Sequence, residues 1–167
     1  MTLNVFLKLK IDGNDIVGES TVFSPDREGL IKCLSFYYGL IAHHDLESGH
    51  LIGRPQHEDV RIRKYIDIAT PHLLSALCHS KRVDRAEFRF FRLKSDSTGD
   101  DEHYFTILLE RGHITSVKLL NKDSTLDSNE TSAMMEEVTF TFRKITWTYE
   151  IDDVTHSDFF CDRDNNS

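Results

Sequence analysis

The sequence is poor in the residues that mark specialised chains, and each shortage excludes something. Proline occurs three times in 167 residues, so long strands can run without interruption. Cysteine also occurs three times, at Cys33, Cys78 and Cys161, far apart and with no CxxC pair. That spacing excludes a disulfide framework and a cysteine-based zinc site; the thiols read as small buried side chains. No apolar run approaches the roughly 20 residues that cross a bilayer. The opening MTLNVFLKLKID alternates, and it lacks the continuous apolar core and small-residue cleavage site of a signal peptide. The chain is therefore expected to be made in a cytosol, with no membrane insertion, and to be exported only by a route that needs no cleaved signal. Basic charge is short as well. Twenty Lys and Arg face 28 Asp and Glu, for a formal net charge of −8, which speaks against nucleic acid as the main partner.

Motifs of chemistry are missing too. There is no GxGxxG and no GxxxxGK[ST], and Ser20 lacks the second glycine of a nucleophile elbow. Nine histidines invite a metal, and His43, His44, His50 and His57 crowd into one stretch. Yet no HExxH and no paired spacing accompanies them, so neither a metal nor a cofactor is expected. His103 and His113 stand near Glu102 and Glu110, a pairing that chance supplies readily. The acidic run 96–101 lacks the EF-hand order and reads as a hairpin turn. Asn129-Glu130-Thr131 matches a glycosylation acceptor by chance alone. No catalytic residue emerges.

What the chain does contain is strands. Val5, Leu7, Leu9 and Ile11 recur every second residue. Asp12-Gly13-Asn14-Asp15 and Ser24-Pro25-Asp26 read as turns. Residues 30–40 form a second long strand and 43–55 a long connection with Gly49, Gly53 and Pro55, after which 56–66 returns as a strand. One helix is predicted over about 70–80, with Thr70 as cap and Pro71 in the first position. Leu73, Leu74, Leu77 and Cys78 lie on its one apolar face, and His79, Lys81 and Arg82 stand near its end. Residues 85–93 carry Phe88 and Phe90 on one face and Phe91 and Leu93 on the other, so both faces need cover, from the helix or from a neighbouring subunit. Gly112 marks a turn or a bulge within 102–120, and 121–132 reads as an exposed loop.

The closing segment VTFTFRKITWTYE is the most informative. Its apolar residues sit at even positions at Val138, Phe140 and Phe142, then at odd positions at Ile145, Trp147 and Tyr149. A period of two cannot change parity without an irregularity, so a bulge is predicted near Arg143 and Lys144. About seven or eight strands and no βαβ rhythm make a mainly β protein, an antiparallel β-barrel of two sheets with one flanking short α-helix. Residues 1–150 read as the single barrel domain and 151–167 as a C-terminal tail that packs first and frays over its last six residues.

Several segments together resemble the hemolysin-coregulated protein (Hcp) family of type VI secretion systems. They are VFLKLKIDG, DREG at 26–29, YIDIATPHLLSAL at the helix entry, AEFRFFRL, YFTILLERGHITSVK and the closing strand, with THSD at 155–158 like the tail of one enterobacterial branch. The resemblance implies a non-catalytic homo-oligomer whose hexameric rings stack into the inner tube, with effectors carried in the lumen and spike and sheath components as further partners. It also implies that the 43–55 connection contacts the adjacent ring, through His50, Leu51 and Ile52. Two other readings stand beside it. One is a barrel enclosing a small apolar ligand; the other is an enzyme built on the histidine-rich stretch.

Overall fold

The computed structural model describes residues 4–20, 27–96, 98–121 and 134–160. The expected turn at 24–26, the loop at 122–132, the Asn129 acceptor, Cys161 and the fraying end lie outside them. Among the described residues, twelve strand segments and one helix run in the order β1 (Asn4–Ile11), β2 (Asn14–Ile16), β3 (Ile31–Cys33), β4 (Ser35–Tyr37), β5 (Leu40–His44), β6 (Leu51–His57) and β7 (Val60–Tyr65). Then come α1 (Thr70–Cys78), β8 (Arg82–Leu93), β9 (Asp101–Leu120), β10 (Met135–Thr141), β11 (Lys144–Tyr149) and β12 (Val154–Phe159). All pairings are antiparallel, in one ten-stranded sheet whose main path is β2-β1-β8-β9-β10-β7-β4, with β3 branching from β1, β11 from β9 and β12 from β11, and a separate ribbon of β5 and β6.

The predicted strand 30–40 is three strands in the structure. β3 pairs with β1, β4 with β7, and β5 with β6. The handover falls at Leu34, whose N–H donates to Arg63 O at 2.6 Å. The hydrogen-bonded ladder is therefore not continuous around the curled sheet, and the barrel stays open at this seam. Its interior is filled by side chains such as Phe88, Phe140, Leu109 and Ile145.

The parity change predicted in the closing segment is present, and it is shared. Buried residues jump by three instead of two from Phe142 to Ile145, from Leu109 to Gly112 and from Val83 to Ala86. The three jumps lie in one row of the sheet. Glu110 pairs with Lys144 and Arg85 on one side of it, and His113 with Thr141 and Arg82 on the other. Each strand inserts one residue at the same level, so all three exchange faces without losing register with one another. Arg111 takes a positive φ of 53° there. β1 does not insert: Leu9 and Ile11 stay in step, and its pairing with β8 shifts by one between Lys10 and Ile11 instead. Gly112 thus sits at a bulge in a continued strand.

The helix starts one residue earlier than its predicted cap implies. Ala69 is the cap and makes no side-chain cap bond, while Thr70 is the first helical residue. Thr70 Oγ1 instead accepts the Asp67 N–H at 3.0 Å and donates to the Glu136 carboxylate at 2.8 Å. The helix ends at Cys78, so Lys81 and Arg82 lie beyond it, with Arg82 opening β8. Leu73 and Ala76 enter the common core. The helix does not cover Phe91. That ring packs edge-on to Phe6 at 5.6 Å, and the Arg27 guanidinium lies 4.6 Å from its centroid, fixed by Asp101 at 2.7 Å. Leu93 stays exposed.

Cys33 is fully buried in this core, and burial pushes its thiol up to about 12; Cys78 is exposed. Since only the thiolate reacts, a water-soluble maleimide should label Cys78 in the native protein and Cys33 only after unfolding. Peptide mapping of the modified cysteines checks this, and labelling of native Cys33 would contradict the burial.

Candidate functional site

The segment 43–55, expected as a connection, is most of a β-ribbon. β5 and β6 pair from Leu40 opposite His57 to His44 opposite Leu51, with an irregularity between Ile41 and His43. Gly53 faces that irregularity, and Gly49 closes the turn; both hold the positive φ that glycine adopts freely. Asp45 organises the turn. Its carboxylate accepts the N–H groups of Ser48 at 2.7 Å and Glu47 at 3.0 Å, and these donors hold it below the ordinary carboxylate range. Alternation could not reveal the ribbon, because a strand wet on both faces has no inside to mark.

Every residue of β5 and β6 is exposed except His57. The ribbon still carries Leu40, Ile41, Leu51 and Ile52, the last two 68 % and 57 % exposed. An isolated two-stranded ribbon is marginal in water, and clustered exposed apolar side chains mark a contact surface. Of the expected assembly residues, His50 closes the turn by accepting the Asp45 N–H at 2.8 Å through its carbonyl. Leu51 and Ile52 follow it on β6, opposite His44 and His43.

A second apolar surface lies at the other end of β7. The ribbon leads into β7 at Val60, and Tyr65, Ile66 and Ile68 leave it at the far end, exposed together with Leu119, Leu120 and Met134. Cross-strand pairing unites them: Met135 stands opposite both Tyr65 and Leu120, and the Ile66 N–H donates to Met134 O at 3.2 Å. These residues come from three separate parts of the chain, which is why no local pattern announced them.

The residues screened for chemistry fall apart. His43, His44 and His50 are exposed while His57 is buried beneath the ribbon. Among the described residues no three His, Cys, Asp or Glu side chains are grouped to hold a metal. The Ser20 hydroxyl is buried without a hydrogen-bond partner. His103 Nε2 lies 2.7 Å from Thr106 Oγ1, which donates to Glu150 at 2.5 Å. Burial first, with Arg89 adding to it, holds His103 below the ordinary imidazole range. Thr106 is itself buried, so this group ties β9 to the end of β11 and offers no open nucleophile.

The β-rich chain thus presents an exposed apolar ribbon at one end of β7 and an apolar patch at the other. The family model described as type VI secretion system effector, Hcp, matches residues 6–149. The chain belongs to the Hcp family. The Major exported protein of Pseudomonas aeruginosa is 33 % identical to this Hcp chain over 144 residues, 86 % of this chain and 81 % of that protein. Among solved structures, a mutant of Hcp1 from the E. coli EAEC 042 pathovar matches with a TM-score of 0.81 at 30 % identity, covering 95 % of this chain and 99 % of that one. The secreted protein Hcp3 of Pseudomonas aeruginosa matches at 0.74 and 25 %, with 95 % and 99 % covered. The family-model match stops at Tyr149, so β12 of this Hcp protein lies beyond it.

Proposed function

We propose that the chain is a non-catalytic subunit of the type VI secretion inner tube, forming hexameric rings that stack and carry effector proteins in the lumen. The observation that carries the stacking is the placing of two uncovered apolar surfaces at opposite ends of β7. Different patches meeting head to tail propagate along an axis without closing on themselves, which is the symmetry a tube requires. The ribbon with Leu51 and Ile52 is the inserting element, and the patch around Ile68, Leu119 and Leu120 on the next ring receives it. Ring number, effector cargo, and contact with sheath and spike rest on membership of the Hcp family. Export without a cleaved signal follows from the same membership and agrees with the name of the exported Pseudomonas relative. The small-ligand alternative loses support from the filled barrel interior.

The test is Leu51→Asp combined with Ile52→Asp, followed by sedimentation velocity at high concentration. Both side chains are exposed, so the unfolding free energy should change by only about 0.5 kcal/mol per substitution. Stacked species should disappear while single rings persist. Stacking at the parent concentration would overturn the assignment of the ribbon.

A further inference from the structure

The ribbon meets the barrel through one buried side chain. His57, the last residue of β6, has a side chain 2 % exposed, whereas all other ribbon residues lie open. Both ring nitrogens are engaged: Nδ1 lies 2.8 Å from the Tyr38 hydroxyl and Nε2 2.9 Å from the Asp158 carboxylate. A carboxylate only accepts, so Nε2 carries a proton, and Nδ1 shares its own hydrogen bond with the Tyr38 hydroxyl. Tyr38 keeps its proton, because burial and then the nearby Asp158 charge push its hydroxyl up to about 12. Aromatic rings hold the imidazole in place. Trp147 stacks at 6.2 Å and 18°, Phe160 at 5.9 Å and 29°, and Phe142 meets it edge-on at 5.6 Å. These partners come from the start of the ribbon, the sheet corner, β11 and the end of β12. β6 and β12 border an open groove of about 830 Å³, and His57, Asp158 and Phe160 are part of its lining beside Arg54, Gln56 and Phe159.

We propose that His57 is the positioning residue of the ribbon, held by Asp158, so that β12 acts as a strap setting the angle at which the assembly element projects. This rests on the reading of the ribbon as that element. Among the described residues β12 pairs with β11 alone, so the strap is tied to the barrel while its Asp158 reaches across to the ribbon. An imidazole satisfied on both nitrogens and stacked between rings has one orientation, and the ribbon inherits it.

The experiment uses the full chain and three variants, D158A, D158N and H57F. Native-state hydrogen exchange reads the amides of 40–57, and sedimentation reads assembly. D158A and H57F should speed ribbon exchange by roughly tenfold or more, the effect of losing one hydrogen bond to a charged group. Core amides of β8 and β9 should keep their parent rates. D158N keeps an acceptor for Nε2–H and should restore the ribbon to near-parent protection. Parent-like ribbon exchange in D158A and H57F would overturn the proposal, as would core and ribbon amides loosening together. Loosened ribbons that assemble like the parent would instead uphold the strap and overturn the ribbon's part in assembly, so the two failures are distinct.

Discussion

Lys64→Met alone is expected to cost the fold about 3–5 kcal/mol, whereas Lys64→Met with Glu136→Leu should recover most of that loss. Lys64 and Glu136 stand directly opposite each other on β7 and β10 and are 1 % and 0 % exposed. The Lys64 ammonium pairs with Glu136, with Asp67 at 2.7 Å, and donates to Tyr65 O at 2.9 Å. Thr70 joins the knot through its hydroxyl, and the second Glu136 oxygen is buried with no partner. Methionine fills the space of the lysine stem but abandons one fully buried carboxylate and one nearly buried. A buried charge stripped of its partner bears its full desolvation cost. Removing Glu136 as well leaves an apolar pair at the core end of two paired strands. Asp67 then keeps the Ala69 N–H at 2.9 Å. Urea denaturation with an unchanged slope measures both effects. A single variant within about 1 kcal/mol of the parent, or a double variant no better than the single, would show that the knot is not a coupled buried pair.

That pair was legible in the sequence, though a composition-level reading passes over it. Lys64 falls in step with Val60 and Ile62, and Glu136 with Val138 and Phe140, so period two alone sends two opposite charges to the core face. The corner at Arg143 was legible for the same reason: one buried face fixes parity, and an error of one residue shows at once. The matching insertions at Asp84 and Arg111 are harder to see, because both strands carry charged residues there and the jump is masked. The breakup of 30–40 had no local signal, since Leu34 changes partner without changing pattern. The ribbon and the far patch were hidden for different reasons. The ribbon has no buried face to set a period, and the patch joins residues from β7, β9 and β10. His57 looked like one of four histidines crowded into one stretch, and its partner on β12, 101 residues away, is what distinguishes it.

Gly112→Ala should be the most damaging single-methyl change in the barrel, while Gly39→Ala, equally crowded on paper, should be tolerated. A Cβ at Gly112 would lie 1.9 Å from Thr141 O, 2.8 Å from Thr141 C and 3.0 Å from Phe142 Cα, all backbone. A Cβ at Gly39 would lie 2.1 Å from Glu58 Oε2, the end of a flexible side chain. Distance alone ranks the two sites as equals; what stands in the way separates them. Glu58 can rotate aside at the cost of its exposed hydrogen bond from Tyr37, within about 1 kcal/mol. Thr141 cannot move alone, because it pairs with His113 in the row where β8, β9 and the β10–β11 corner exchange faces together. Pushing that row apart would strip Phe142 and Ile145 of their packing, and overpacked cores lose about 1–3 kcal/mol or more. Gly112→Ala is expected at the upper end of that range. Because Phe142 also forms one wall of the His57 box, the same variant should raise hydrogen exchange in the ribbon along with the corner. Equal thermal midpoints for the two alanine variants would mean that the close approach at Gly112 is relieved by a movement the corner tolerates.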